Sequence, residues 1–321
     1  HGSGLGPLPR RRRKQEVRRE ARFAAIDVGT NSVLLLVAER DAEGRFSAVA
    51  DAMEMTRLGE GVDRTGRLGE RAMRDTLEAV RAFAAEARGL GASGLAVVTT
   101  SAARDAENGA AFLAKLRDAA GVEAEILSGE EEAELTYRSV ASDFGNGPLW
   151  ALDIGGGSTE VVAGKAGEVA WRRSFDLGAV RLTERFVASD PPSAAELRRV
   201  EEAVSEGFSE LPPPEPGTRL VGIAGTVTTL CALHLGLDAY DGSRVHGAEL
   251  DLAALRDLET RLASISLAER MAIPGLPKKR ADVIVAGAII LRVAMERFGF
   301  DEVVVSDKGV RWGLLDARFG R

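Results

Sequence analysis

In the stretch "WALDIGGGSTEVVAG" (Trp150 to Gly164) an apolar run ends on Asp153, three glycines follow, and Ser158, Thr159 and Glu160 precede a second apolar run. A strand, a turn and another strand would account for one or two glycines, since glycine tolerates backbone angles that other residues avoid. Three in a row beside two carboxylates suit a further purpose. A turn without Cβ atoms lets backbone N–H groups approach phosphate oxygens. A carboxylate at a strand end suits a hard divalent cation such as Mg²⁺. Glu160 follows Ser158 by two, so on a regular strand both side chains share a face. Amide donors, a cation and an oriented water are what hydrolysis of a phosphoanhydride requires. The plainer alternative is a glycine hairpin with a surface aspartate.

The chain repeats the pattern. "AAIDVGTNSVLLLVA" begins at Ala24, and a shift of 126 residues aligns Asp27 with Asp153, Gly29 with Gly155 and Ser32 with Ser158. The flanking apolar runs align too, which predicts a duplicated domain. Both turns, Gly29-Thr30-Asn31-Ser32 and Gly155-Gly156-Gly157-Ser158-Thr159, could hold phosphate, but Leu34 stands where the second copy has Glu160.

Four further stretches carry candidate groups. In "ILSGEEEAELTYRSV", Ser128 and Glu131 read as a capping box, and acidic residues in a first helical turn gain roughly 0.3–1 kcal/mol each from the helix dipole. Glu132 borders the stripe Ala133, Tyr137, Val140 and Phe144, at the junction of the two halves. A carboxylate there could take a proton from a water attacking phosphorus. Arg104 in "TTSAARDAENG" could bind two phosphate oxygens at once, or pair with Asp105 or Glu107. "GIAGTVTTL" offers Gly225 and Thr226 at a strand–turn–helix junction where N–H groups could meet an anion. In "SDKGVRWG", Lys308 and Arg311 could reach a cleft or cap the last helix.

The elements that must position these groups follow from periodicity. From Phe23 three strands alternate with turns; a helix is expected from Glu70 to Arg88, then a buried strand into "TTSAARDAENG", a helix to about Ala120, and the strand "VEAEIL". The second half reopens with strands from Leu149, and capping boxes mark helices at Ser193/Glu196 and Ser266/Glu269. "ADVIVAGAIILRVAMERFG" reads as a long buried helix. The order predicts an α/β fold.

Bulk properties bound the class. At 321 residues, 45% hydrophobic and 5% aromatic, the chain suits two soluble domains. No apolar run reaches the roughly 18 residues of a membrane span, so no membrane partner is expected. The lone Cys231 sits in an apolar stretch and reads as packing. A cytoplasmic enzyme is the default reading. The opening "HGSG" lacks methionine and reads as an appended remnant, which sets His1 aside. Arg10 to Arg22 carries a surplus of six positive charges, so the rest of a chain of net charge −7 stands near −13. Such a block is usually solvated or disordered, and no specific nucleic-acid partner is read from it. Widely separated His234 and His246 give no zinc pattern, and there is no P-loop or nucleophile elbow.

Taken in order, "AAIDVGTNS", "TTSAARDA", "ILSGEEEA", "LDIGGGSTE", "GIAGT" and "VSDKGVRWG" resemble the exopolyphosphatase / guanosine pentaphosphate phosphohydrolase (Ppx/GppA) family over roughly Phe23 to Gly320. The resemblance implies the two-domain fold of actin, Hsp70 and the sugar kinases, a duplicated ribonuclease H-like architecture with an interdomain cleft. The expected division is a basic tail to residue 22, a first domain over 23–133 with the final helix 309–320, and a second over 134–308. The sequence ends at Arg321 without the C-terminal helical extension and HD-type domain of longer members. By resemblance Glu132 is the general base, Asp153 the metal and phosphate aspartate, Gly155 the turn glycine and Glu160 the second acidic residue. Asp27, Gly29, Asn31 and Ser32 fall on the first phosphate loop, and Arg104 on the phosphate-facing arginine. The implied activity is Mg²⁺-dependent (or Mn²⁺-dependent) removal of terminal phosphate from inorganic polyphosphate by a homodimer, with Asp153 and Glu160 holding the metal. Hydrolysis of guanosine pentaphosphate is the near alternative, and a non-hydrolytic polyphosphate or nucleotide sensor the alternative of another class.

Overall fold

The structure is a computed structural model that describes residues 21–320. The basic block expected to be disordered lies outside the described residues, except that Ala21 and Arg22 already belong to the first strand, where Arg22 pairs with Glu39.

The apolar alternation of the first half forms an antiparallel meander, β1 (Ala21–Val28), β2 (Val33–Arg40) and β3 (Phe46–Glu54). The chain then crosses through α1 (Val62–Thr65) and α2 (Glu70–Gly89) to β4 (Ala92–Thr99). From there α3 (Ser101–Asp105) and α4 (Gly109–Ala120) lead to β5 (Ala124–Ile126). β4 and β5 run parallel to β1, giving the order β3-β2-β1-β4-β5.

After α5 (Gly129–Ala141) the second half repeats the meander as β6 (Pro148–Ile154), β7 (Thr159–Lys165) and β8 (Glu168–Phe175). Then come α6 (Ala179–Phe186), α7 (Ala194–Gly207), β9 (Arg219–Ile223), α8 (Ala224–His234), α9 (Gly242–Val245) and β10 (Glu249–Asp251). Helices α10 (Leu252–Ser264), α11 (Leu267–Met271) and α12 (Ile284–Phe298) precede β11 (Glu302–Val305) and the last helix, α13 (Val310–Phe319). The sheet runs β8-β7-β6-β9-β11-β10. Its first five strands reproduce the order of the first sheet, the duplication that the 126-residue repeat predicts; β10 adds an antiparallel edge.

Strand parity decides what each sheet faces. In β1, Ala24, Ile26 and Val28 pack into the core under α2 and α4, while Ala25 faces Leu314 and Leu315 of α13. In β6, Trp150, Leu152 and Ile154 join the core that includes α12, while Leu149 and Ala151 face Ala133, Tyr137 and Val140 of α5. Asp27 and Asp153 share the parity of the second set. They therefore stand on the faces covered by α13 and α5, which cross so closely that a side chain on Gly313 would overlap the Leu135 carbonyl. α13 is fastened to the first sheet by Phe319 stacked on Phe23 at 4.6 Å. α5 is one helix packed on the second sheet, so the expected division between residues 133 and 134 falls inside it.

All three capping boxes form, and Cys231 is buried. No helix among the described residues is long and apolar enough to cross a membrane.

Candidate active site

The two glycine-bearing turns are built alike. Gly29 N–H donates to Ser32 O at 3.0 Å and Gly155 N–H to Ser158 O at 3.0 Å. Neighbouring segments then hold the turn carbonyls. Gly59 and Arg57 donate N–H to Thr30 O and Asn31 O; Ala179 donates to Gly155 O, and Val180 and Arg181 both to Gly156 O. The Arg181 guanidinium takes Gly157 O at 2.7 Å. In a trans peptide the N–H points opposite to its C=O. The amides of Asn31, Ser32, Gly156, Gly157 and Ser158 consequently turn away from the segments that grip the carbonyls. Among the described residues these five N–H groups donate to no protein acceptor.

The turns meet face to face, which explains the glycine run. A Cβ on Gly157 would lie 2.5 Å from Ser101 Oγ and 2.9 Å from Thr30 Oγ1, and one on Gly156 would lie 3.0 Å from Thr30. Thr30 and Ser101 share a hydrogen bond of 2.7 Å.

Four carboxylates lie beneath the turns. Asp153 and Glu160 are cross-strand partners, as are Asp27 and Leu34 in the first copy. Glu132 enters from the first turn of α5. All four are between 1% and 8% exposed, too little for water to screen them. Thr136 Oγ1 donates to Asp153 Oδ2 at 3.1 Å and Ser174 Oγ to Glu160 Oε1 at 2.6 Å. Among the described residues the cation touching the group is Arg104, whose Nη1 lies 3.4 Å from Glu132 Oε2 and donates to Leu127 O at 2.9 Å. Arg311 draws on the Asp27 carboxyl but is itself paired with Asp51.

Burial is the largest cause of the resulting proton affinities. It raises Asp27 to about 7, against the pull of Arg311 and with repulsion from Asp153. It raises Asp153 to about 6, opposed by the Thr136 hydroxyl. It raises Glu160 to about 8, together with the Asp153 charge. Glu132 is pushed well up by burial and then by Glu160, Asp153 and Asp27, and Arg104 offsets only part.

A carboxyl whose folded pKa is raised stabilises the fold fully below its unfolded pKa, and that stability is lost as pH rises through the folded value. With folded values of about 6, 7 and 8 for Asp153, Asp27 and Glu160, the melting temperature without divalent cation should fall as pH rises from about 5 to about 8. Glu160→Gln should flatten that fall. Thermal melts across pH check this; a parallel slope in the variant would show that the carboxylates do not cause it.

The donor set fits a hydrated hard cation better than a closed cage. Among the described residues no three His, Cys, Asp or Glu side chains stand as a ready-made ligand set. Asp27 Oδ1 and Glu160 Oε2, with Asn31 Oδ1 and Ser32 Oγ, are buried without a hydrogen-bond partner. Mg²⁺ characteristically takes one or two carboxylates and fills its octahedron with water and phosphate oxygens, which such unpaired oxygens permit.

Some expected residues are placed elsewhere. Thr159 has the opposite strand parity to Glu160, so its hydroxyl donates to Leu177 O inside the second core instead of facing phosphate. The Arg280 guanidinium covers Gly225, and Thr226 is buried against Gly287 of α12, so this turn presents a cation rather than bare amides. Lys308 pairs with Asp143 at 2.7 Å and lies over the Trp312 ring, away from the carboxylates.

Sequence reasoning missed several groups. Thr136 carried a signal, one helical turn beyond Glu132, and so did Ser174, opposite Glu160 in the β7–β8 register. Arg181 and Arg280 carried none, because both are brought in from distant segments. Arg280 is 7% exposed, donates to Thr229, and among the described residues has no carboxylate at ion-pair distance; burial lowers it to about 10.

With this geometry in hand, known proteins give a consistent answer. The Ppx/GppA phosphatase family matches residues 36–320. "Exopolyphosphatase 2" of Mycobacterium tuberculosis is 38% identical over 310 residues, covering 91% of this chain and 97% of the relative. The crystal structure of the Aquifex aeolicus member of the Ppx/GppA family is similar with a TM-score of 0.79 at 33% identity, covering 92% of this chain and 97% of that one. An exopolyphosphatase structure from Cytophaga hutchinsonii gives 0.83 at 25% identity, covering 92% and 96%. By class, a duplicated α/β fold with phosphate-type turns over buried carboxylates is a phosphoanhydride hydrolase. The chain belongs to the Ppx/GppA phosphatase family.

Proposed function

We propose that the chain is an exopolyphosphatase that removes the terminal phosphate of inorganic polyphosphate with Mg²⁺ or Mn²⁺ as cofactor. The observation that carries this reading is the stacking of two amide-presenting turns over Glu132, Asp153, Glu160 and Asp27, with Arg104 alongside. The names of the mycobacterial relatives support the substrate class.

In this reading the amides of Asn31, Ser32, Gly156, Gly157 and Ser158 bind the oxygens of the last phosphates. Glu132 orients a water in line with the terminal phosphorus and takes its proton as the new P–O bond forms and the bridging bond breaks. Arg104 follows the charge that develops on the phosphoryl oxygens. Asp153 and Glu160 would hold the cation, with the unpaired Asp27 Oδ1 nearby; when bound, it would supply positive charge to phosphate and carboxylates alike. Arg280, a buried guanidinium with no carboxylate at ion-pair distance among the described residues, would offer a long polyanion a further positive charge in the second half.

The test is phosphate release with Mg²⁺ from long polyphosphate, tripolyphosphate, guanosine pentaphosphate and ATP. Long polyphosphate should give the highest kcat/KM. Preference for guanosine pentaphosphate by tenfold or more would transfer the assignment to that nucleotide, and binding of polyphosphate without release would make the chain a sensor.

A further inference from the structure

The carbonyl of Gly157 is held differently from its neighbours. Backbone N–H groups of α6 hold Gly155 O and Gly156 O within the same half of the molecule, but Gly157 O depends on one side chain, Arg181. The remaining nitrogens of that guanidinium reach carboxylates of the other half, besides Asp176 of its own half at 3.9 Å. Nη1 reaches Asp63 of α1 at 3.0 Å, and Nη2 reaches Asp105 at the end of α3. Asp105 in turn lies 3.8 Å from Nε of Arg104, the arginine that faces Glu132. A string of charge-assisted contacts thus runs from Gly157 O through Arg181, Asp105 and Arg104 to Glu132. It lies along the seam between the halves, beside a shallow depression lined by Thr30, Gly59, Asp63, Gly157, Arg181 and Glu184.

We propose that Arg181 is a positioning residue that ties the orientation of the phosphate-facing amides, and through Asp105 the setting of Arg104, to closure of the two halves. With the halves apart, Asp63 and Asp105 no longer hold the planar fork, and the guanidinium that fixes the peptide between Gly157 and Ser158 loses the two carboxylates that orient it from across the seam. With them together, one side chain satisfies a carbonyl and two carboxylates at once. Lysine has no such fork, only a compact ammonium on a flexible stem. Arg185 is the internal comparison, since it pairs with the same Asp63 but touches no turn carbonyl.

The proposal rests on the hydrolase reading above for its kinetic arm only. Its structural arm is the distance between spin labels at Lys115→Cys in α4 and Glu202→Cys in α7, both exposed, with Cys231 buried. With Mg²⁺ and tripolyphosphate, the otherwise unaltered labelled chain should give one narrow distance and Arg181→Ala a broader, longer one, while Arg185→Ala stays narrow. In turnover, Arg181→Ala should lower kcat about 30- to 100-fold with KM within about threefold, as expected when reacting groups lose alignment. Arg181→Lys should recover little of it, and Arg185→Ala should stay within about threefold of the unaltered chain. A kcat for Arg181→Ala within threefold, an equal loss in Arg185→Ala, or an unchanged narrow distance in Arg181→Ala would overturn the proposal. If the unaltered chain hydrolyses no phosphoanhydride, the functional reading fails by itself, and the distance measurement alone decides the role of Arg181.

Discussion

Glu132→Gln should lower kcat for polyphosphate by about 10³-fold while the affinity for the polyanion changes less than about threefold. Glutamine keeps the shape and a hydrogen-bond acceptor for Arg104 but cannot take a proton from water. The same substitution removes one negative charge from a site where Glu160, Asp153 and Asp27 all repel Glu132. The variant should therefore melt higher than the parent at pH 8 in the absence of divalent cation. Lost turnover combined with gained stability separates a proton acceptor from a structural carboxylate, whose removal would lower both. Activity of the variant within tenfold of the parent would remove Glu132 from the base position. In the parent, kcat should rise with pH through the raised proton affinity of Glu132, above the ordinary carboxylate range, as the buried group gives up its proton.

Asp153→Asn should lower kcat/KM by about 10³-fold and remove the rise in melting temperature that Mg²⁺ gives at pH 8. The reason is charge: Asp153 pairs across the strands with Glu160, and the two repelling carboxylates together attract a cation. Thr136 can still donate to the amide oxygen, so the local packing is expected to persist. In the parent, Mg²⁺ should stabilise more at pH 8 than at pH 5.5, because below the raised pKa values of about 6 and 8 protons compete with the cation. An undiminished Mg²⁺ effect in Asp153→Asn would move the cation site elsewhere.

Much of the fold could be read from local chemistry. The 126-residue repeat predicts two sheets of one design, and their first five strands run in one order. The capping boxes at Ser128, Ser193 and Ser266 start helices as expected. The pairing of Asp153 with Glu160 could be read because a turn in register makes them partners, and the placement of Glu132 because it borders a helical stripe. Thr159 was misread for want of strand parity, which starts counting only where the turn ends. Gly225 and Thr226 were misread because the occupant of that turn, Arg280, comes from a segment more than fifty residues away.

Local sequence sets what recurs within a few residues: turns that expose amides, strands with an aspartate one residue before their end, and helices with capped starts. Those follow from backbone sterics and side-chain periodicity, which act locally. Tertiary structure alone decided that four carboxylates share one buried site and that Thr30 nests against Gly156 and Gly157. It alone also brought Arg181 across the seam. These depend on how two sheets face each other through α5 and α13. Burial and charge repulsion are properties of that shared volume rather than of any stretch of chain.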